Sequence, residues 1–418
     1  MRFSTTASQV LAFCSALSQF TEAISTRARG VPRGAARTDV VKPKVFIISM
    51  FEPEGDVWYG IPEFNLLAKN ITVPGFSTLY PDAHCTATGE ICQLVTGEAE
   101  INAAATITSL IQSNCFDLTS TYFLIAGIAG VNPEVATLSS VTFARYAVQV
   151  ALEYQFDARE IPSNWSTGYL GQGAYAPGQY PTFIYGTEVL EVNAALRSLA
   201  AGFAKTALLN DTSDAAAYRA LYTSPAYTAG SSPPSVVECD VATSDVYFSG
   251  ALLGEAFGNF TKLMTNGSGV YCTTGQEDNA TLEALLRGAV SGLVDFSRII
   301  VMRTASDFDR PYPGSSPQYN LFYAADYGYE PALQNVYLAG VKVVEGIING
   351  WERTFKKGVN ATNYIGDIFG TLGGTPDFGQ GALLSEQEAL DKRNLEKKKH
   401  MGRMRRIGRR LLPASLSR

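Results

Sequence analysis

Two short charged stretches follow apolar segments of the chain and contain residue types that could carry chemistry. Residues 52–56, Glu-Pro-Glu-Gly-Asp, come shortly after the apolar run 44–49. Residues 303–309, Arg-Thr-Ala-Ser-Asp-Phe-Asp, follow the apolar run 299–302. Carboxyl groups at strand ends can act as general acids, general bases or metal ligands, and an arginine beside them can stabilise substrate charge. A charged loop that caps the next helix and a structural ion pair are the non-catalytic alternatives.

Composition excludes several classes of function. The 418 residues include only two histidines, His84 and His400, which removes a Ser-His-Asp triad across most of the chain and multi-histidine metal sites. Residues 45–384 carry 15 Lys and Arg against 33 Asp and Glu, so this acidic body should repel nucleic acids. No apolar run approaches the roughly 18 residues that span a bilayer, so the chain is not predicted to be a membrane-spanning transporter by itself.

The N-terminal segment and the glycosylation sequons bear on the compartment. Residues 1–23 resemble a weak signal peptide, and residues 24–43 form a basic linker whose arginines also fit a mitochondrial presequence. Seven of the 17 asparagines begin an Asn-X-Ser/Thr sequon, against roughly two or three expected by chance: Asn70, Asn164, Asn210, Asn259, Asn266, Asn279 and Asn360. This excess favours a secreted, cell-surface or endomembrane-lumen protein, with the mitochondrion as the alternative.

Cysteine spacing and the C-terminal charge leave alternatives open. Cys85 and Cys92 are close in sequence, and Cys239 and Cys272 flank one segment, so each pair could form a disulfide. Cys115 would then be left without a disulfide partner. Alternatively, these cysteines are scattered free thiols buried in the core. Residues 381–418 form a basic tail, which is predicted to be solvated and disordered, with binding to an anionic partner or membrane surface as the alternative.

Strand and helix patterns alternate through the body of the chain. Short apolar or β-branched runs predict buried strands at 44–49, 122–126, 236–241 and 298–303. Apolar residues at helical spacing predict helices at 98–113, 188–209 and 281–293. This alternation predicts a three-layer α/β domain. Ligands in such sheets bind at the carboxyl ends of the strands, where both charged stretches lie.

Six motifs, in order along the chain, resemble those of methylthioadenosine/adenosylhomocysteine nucleosidases of the nucleoside phosphorylase superfamily. They are KVFIISMFEPE (44–54), TGEAEINAAA (96–105), AGIAG (126–130), GQYP (178–181), TSDVYF (243–248) and RTASD (303–307), of which AGIAG resembles a base-binding glycine turn. The whole chain resembles the fungal purine nucleoside permease (NUP) family. The resemblance implies a domain at 44–380 with a three-layer α/β sandwich of the nucleoside phosphorylase type and a central mixed, mostly parallel sheet.

The resemblance also implies roles for single residues in the cleavage of a purine N-glycosidic bond. Asp307 would protonate the purine N7, with Ser306 and Arg303 orienting it and the ribose end. Glu54 would hold or deprotonate the attacking water. The base slot would be lined by Ala126, Gly127 and Tyr247. One carboxyl group at each end suits a reaction in which the ribose becomes cationic and the leaving base anionic.

The sequence departs from this family pattern at two places. Phosphorolytic members need arginines and a glycine-rich turn for phosphate, whereas residues 97–100, Gly-Glu-Ala-Glu, place two acids there. This favours water over phosphate as the nucleophile. The family glutamate that grips the ribose hydroxyls is replaced by Asn279, itself in a sequon, and Glu277 or Asp278 is the candidate substitute.

The resemblance implies a purine nucleoside N-ribohydrolase, with a phosphorylase as the variant, that needs no metal and no cofactor and supports nucleoside uptake. A non-catalytic nucleoside-binding protein associated with transport is the first alternative, and a storage protein on the same fold is the second. The expected ligand is a purine nucleoside. A membrane transporter and, in a homo-oligomer, a second copy of the chain remain open as partners.

Overall fold

The computed structural model describes residues 40–325 and 327–378. Within them the strands are β1 (Val45–Ser49), β2 (Lys69–Thr72), β3 (Asp82–Cys85), β4 (Ile91–Val95), β5 (Tyr122–Val131), β6 (Val141–Ala144), β7 (Tyr146–Gln149), β8 (Glu153–Gln155), β9 (Tyr169–Gly171), β10 (Val189–Glu191), β11 (Val236–Glu238), β12 (Asp240–Thr243), β13 (Tyr271–Gly275), β14 (Ile299–Phe308) and β15 (Gly366–Asp367). The α-helices are α1 (Glu52–Asp56), α2 (Ala99–Gln112), α3 (Ala194–Ala204), α4 (Ser213–Arg219), α5 (Ala251–Met264), α6 (Asp278–Val290), α7 (Pro317–Phe322) and α8 (Tyr329–Asn349). The predicted signal peptide (1–23), residues 24–39 of the predicted basic linker and the whole predicted C-terminal tail (381–418) lie outside the described residues.

A mixed sheet of 13 strands forms the centre of the domain. Its middle is parallel: β4, β1, β5 and β14 follow one another as neighbours. The sheet branches at β5, because β14 continues into β6 and β11 while β13 pairs antiparallel with β5 and leads to β12, β7, β10 and β15. The antiparallel strands β3 and β2 close the edge beyond β4. The predicted α/β fold with a central mixed sheet is confirmed.

Helices cover both faces of the sheet. The central strands are apolar on both faces, as all five residues of β1 are buried. On one face α2 and α6 pack together, with Leu110 and Leu285 in the core. On the other face α3 and α8 pack together, with Leu196 and Val336 in the core. The result is a three-layer arrangement that holds the carboxyl ends of β1, β4, β5 and β14 side by side.

Local structure differs from the sequence predictions at two places. The helix expected at 188–209 begins only at Ala194, because Asn193 caps it with its side chain and residues 189–191 form strand β10. The glycine turn expected at 127–130 is wrong: these residues continue β5 in extended conformation, paired with β14. The reason is tertiary pairing with a partner strand of equal length, which outweighs the turn preference of glycine.

Among residues 40–325 and 327–378, two disulfides join Cys85 to Cys92 and Cys239 to Cys272, and the thiol of Cys115 is half-buried. These are the two pairs that Sequence analysis gave as possible disulfides beside the alternative of free buried thiols, and disulfides are typical of extracytoplasmic proteins. Over the described ranges, no helix combines the length and apolar character needed to cross a membrane.

Candidate active site

The pairing of β5 with β14 sets the register of the site. Gly127 lies opposite Arg303, and Gly130 lies opposite Asp307. The register shifts between Ala305 and Asp307, so one extra residue is inserted at this point. A bulge of this kind changes the direction in which the following side chain points. The two strands therefore bring a carboxyl group and a guanidinium group to neighbouring positions at the carboxyl end of the sheet.

Glu54 turns inward from α1 to meet β5. Its Oε1 accepts a hydrogen bond from the backbone N–H of Ile128 at 2.7 Å, and its Oε2 accepts one from Met50 at 2.8 Å. The side chain is buried, and burial raises the pKa of Glu54 to about 8, against the opposing effects of Arg303 and the two backbone donors. Each carboxylate oxygen keeps one lone pair free, so Glu54 can still accept a proton or hold a water.

Gly127 and Gly130 make room for the two acids. A Cβ atom on Gly127 would lie 2.4 Å from Glu54 Oε1, and one on Gly130 would lie 3.2 Å from Asp307 Oδ2. Gly130 also donates its backbone N–H to Thr274 Oγ1 at 2.9 Å. Glu54 and Asp307 therefore contact positions three residues apart on one strand, a span of roughly 10 Å.

Asp307 is the second acid of the site and is half-buried. Ser306 Oγ donates to its Oδ1 at 2.6 Å and also approaches the carbonyl oxygen of Ala129 at 3.1 Å. Burial raises the pKa of Asp307 to about 6, the hydrogen bond from Ser306 opposes this, and the charge of Asp309 adds to it. An aspartic acid with a pKa near 6 can be protonated often enough near neutral pH to donate a proton.

Arg303 is fully engaged by acidic partners and one carbonyl group. Its Nη2 lies 2.6 Å from Asp278 Oδ2 and 3.1 Å from Glu277 Oε2, and its Nη1 donates to the carbonyl of Ile128 at 3.1 Å. Arg303 and its two acidic partners are almost fully buried. Although burial opposes its charge, these acids and Glu54 raise the pKa of Arg303. The guanidinium therefore neutralises protein carboxylates at this position.

The turn that enters α2 is held by two more carboxylates. Ala99 has a φ of 74°, an unfavourable value for a residue with a side chain, and its N–H donates to Glu277 Oε1 at 2.9 Å. The next N–H, of Glu100, donates to Asp245 Oδ1 at 3.0 Å. Burial, followed by the charge of Asp245, raises the pKa of Glu100. Free N–H groups at a helix N-terminus attract anions, and here the protein supplies the anions itself.

The remaining candidate residues differ in their burial and in their contacts. Ala126, a residue of β5, is fully buried in the core, so it can reach a ligand only through its backbone. Tyr247 is 66% exposed on the segment between β12 and α5. Asn279 is buried on α6, and its Nδ2 donates to the carbonyl of Thr187 at 2.7 Å. Glu277 and Asp278, in contrast, both meet Arg303.

Sequence reasoning missed Thr274 as a neighbour of Asp307 and Asp245 as a cap on α2. Thr274 lies on β13, next to Gly130 and close to Asp307. Asp245 lies in the motif TSDVYF (243–248), but its contact with α2 could not be predicted from that motif, and no local pattern marks Thr274.

The family model described as "Purine nucleoside permease (NUP)" matches residues 42–360. The chain belongs to the purine nucleoside permease family. A relative named purine nucleoside permease from Candida albicans is 49% identical over 347 residues, covering 82% of this chain and 84% of its own. A probable purine nucleoside permease from Schizosaccharomyces pombe is 42% identical over 323 residues, covering 75% of this chain and 92% of its own.

Among solved structures, this family member resembles methylthioadenosine/S-adenosylhomocysteine nucleosidases. The enzyme from Neisseria meningitidis, in complex with methylthio-immucillin-A, gives a TM-score of 0.43 at 13% identity over 74% of this chain and 100% of its own. The enzyme from Colwellia psychrerythraea, in complex with adenine, gives 0.44 at 15% identity over 73% of this chain and 96% of its own.

Proposed function

We propose that this protein binds a purine nucleoside and hydrolyses its N-glycosidic bond. The observation that carries the proposal is the pair of buried or half-buried carboxyl groups, Glu54 and Asp307, that approach Gly127 and Gly130 of one strand. Burial raises the pKa of Asp307 to about 6 and that of Glu54 to about 8, so the reactive form, with Asp307 protonated and Glu54 ionised, is a minor form whose population is greatest between pH 6 and 8. The family name supports purine nucleosides as the substrate class.

In the proposed reaction the two acids act at opposite ends of the scissile bond. Asp307 donates its proton to N7 of the purine, and the C1′–N9 bond breaks with its electron pair going to N9. The base then leaves as a neutral molecule. A water held by Glu54 forms the new C1′–O bond, and its proton passes to the Glu54 carboxylate. The products are free purine and ribose, and Ser306 keeps Asp307 in position.

Water is favoured over phosphate because the anion-binding features described near the site are already used by the protein. Glu277 takes the Ala99 N–H, Asp245 takes the Glu100 N–H, and Arg303 is paired with Glu277 and Asp278. An incoming phosphate would have to displace these carboxylates and would be repelled by them. The arrangement therefore supports hydrolysis and disfavours phosphorolysis.

A second function, capture of nucleosides without cleavage, is favoured by one observation. Asn279, the position expected to grip the ribose hydroxyls, has its amide nitrogen bound to the carbonyl of Thr187. A site with weakened ribose contacts would bind the nucleoside through the base and lose the contacts that support a cationic ribose.

The test is release of free base from adenosine, guanosine and inosine by the purified full chain, with and without phosphate. A Glu54→Gln variant purified in the same way is the matched control, because it keeps the shape of the side chain and removes the base. We expect the wild type to release base and ribose without phosphate, with no acceleration when phosphate is added, and the variant to release neither.

Three results would overturn the proposal in distinct ways. Release that requires phosphate would identify a phosphorylase. Nucleoside binding without base release would identify the capture function. Equal release by the wild type and the Glu54→Gln variant would assign the activity to a contaminant or to other residues.

A further inference from the structure

The seven sequons fall into different structural classes. Four have both an exposed asparagine and an exposed hydroxyl residue, and they begin at Asn70, Asn164, Asn266 and Asn360. Asn259 is exposed on α5, but the Thr261 of its sequon is buried within that helix. Asn210 is half-buried and donates its amide to Gln334. Asn279 is buried. Exposure therefore selects four candidate sites for attachment of a glycan.

The disulfides supply an independent reason to expect a glycosylating compartment. Cys85–Cys92 and Cys239–Cys272 both lie within the folded body, and disulfides persist where the surroundings are oxidising. Proteins that pass through such compartments are also those in which sequons become glycosylated. We infer that Asn70, Asn164, Asn266 and Asn360 carry N-linked glycans and that Asn279 does not.

The modification is a group transfer from a lipid-linked diphospho-oligosaccharide. The Nδ2 atom of the asparagine attacks C1 of the first sugar and loses one proton. The new bond is N–C1, the C1–O bond to the diphosphate breaks, and the lipid diphosphate leaves with that electron pair. The asparagine keeps its Oδ1 and one N–H, so contacts made through Oδ1 survive the modification.

Asn70 shows that a glycan is compatible with the folded contacts. Its Oδ1 hydrogen-bonds His84 Nδ1 at 2.8 Å across the β2–β3 pair, which leaves Nδ2 for the sugar. Strand β2 pairs only with β3 among the described residues, so it is an edge strand of the large sheet. Edge strands invite pairing with other chains unless something blocks them. A glycan at Asn70 would supply that block.

Asn279 gives the opposite case within the same chain. The atom that would carry the sugar, Nδ2, donates to the carbonyl of Thr187 at 2.7 Å, and the residue is 2% exposed. A sugar on this atom would have to enter the space between α6 and β7, next to the ion pairs of Asp278 and Arg303. A chain glycosylated at Asn279 could not adopt the described packing.

The test uses the full chain produced with its own N-terminus in a yeast host. Peptides are released before and after treatment with peptide-N-glycosidase in heavy-oxygen water, which converts each glycosylated asparagine to a labelled aspartate. We expect labelled aspartate at the four exposed sites and unmodified asparagine at Asn279. Four variants remove one hydroxyl each and should each lose one glycan by gel mobility: Thr72→Ala, Ser166→Ala, Ser268→Ala and Thr362→Ala.

Glycosidase treatment that leaves the mass and mobility of the protein unchanged would overturn the inference as a whole. A glycan at Asn279 would overturn the argument from burial. An unmodified asparagine at any of the four exposed positions would overturn the assignment of that site. The readout is mass, so it is independent of nucleoside cleavage.

Discussion

Replacement of Asp307 by asparagine tests the acid end of the proposed mechanism. The amide side chain of an Asp307→Asn variant keeps the Oδ1 acceptor for Ser306 and nearly the same shape, but it cannot donate the acid proton. General acid catalysis contributes about 10²- to 10⁴-fold, which corresponds to about 3 to 5 kcal/mol of transition-state stabilisation. We therefore expect kcat for base release to fall by that factor, with KM changed by only about threefold because the amide can still hydrogen-bond the purine.

The pH dependence of the same variant provides a second readout. Burial raises the pKa of Asp307 to about 6 and that of Glu54 to about 8. If Asp307 must be protonated and Glu54 ionised, wild-type activity rises up to about pH 6, levels off, and falls above about pH 8. Without the acid, the break near pH 6 disappears and the residual activity rises until about pH 8.

The control for this experiment is Glu255→Gln, which changes an exposed carboxylate on α5. It should leave kcat and the pH profile unchanged. An Asp307→Asn variant with wild-type kcat at every pH would remove Asp307 from the mechanism. A variant that loses activity but keeps the break near pH 6 would assign that break to another group.

Three further predictions concern neighbouring groups and stability. Ser306→Ala removes a hydrogen bond that lowers the pKa of Asp307, so the break near pH 6 should move up by about one unit in the rate profile; an unchanged break would contradict this. Loss of the Cys239–Cys272 disulfide, which closes a loop of 33 residues, should lower the free energy of unfolding by about 4 kcal/mol in urea without reductant. Loss of the Cys85–Cys92 disulfide, which closes a loop of 7 residues, should lower it by about 2 kcal/mol. Equal losses would contradict an origin in the entropy of loop closure. Burial raises the pKa of Glu153 to about 8, so its contribution to stability is greatest below about pH 4.5 and is lost as the pH rises toward 8. Glu153→Gln should therefore stabilise the protein by about 1 to 3 kcal/mol at pH 8 and by less at pH 5 in thermal or urea unfolding, and an equal gain at both would contradict this.

The sequence predicts the central strands and the fold class because their signals are local. Residues 44–49 are an unbroken β-branched run, and β1 forms there with every residue buried. The segment 127–130 shows the limit of such reasoning. Its glycines are predicted to form a turn, whereas in the structure they lie in a strand. A side chain at Gly127 or Gly130 would be too close to Glu54 or Asp307, so glycine is needed at both positions. A sequence pattern cannot distinguish glycine needed for a turn from glycine needed for close approach.

The candidate site is likewise predictable only in part. Glu54, Ser306 and Asp307 follow apolar runs, so their location at strand ends could be predicted. Arg303 pairs with Glu277, 26 residues earlier in the chain, and with Asp278, 25 residues earlier. Glu277 in turn contacts Ala99, from which it is separated by 178 residues. No periodicity encodes such distances, because they arise from the branching of the sheet.

The carboxylates around Arg303 also affect which metabolites the site should fail to bind. Glu277, Asp278 and Asp245 surround the α2 turn with negative charge, and in the described part of the chain the guanidinium beside it is already paired. A nucleotide carries about two negative charges on each terminal phosphate at neutral pH, and it would bring them into a region that is already negative. We expect adenosine to be accepted and adenosine phosphates to be refused. Such a protein could work among energy-carrying nucleotides without consuming them.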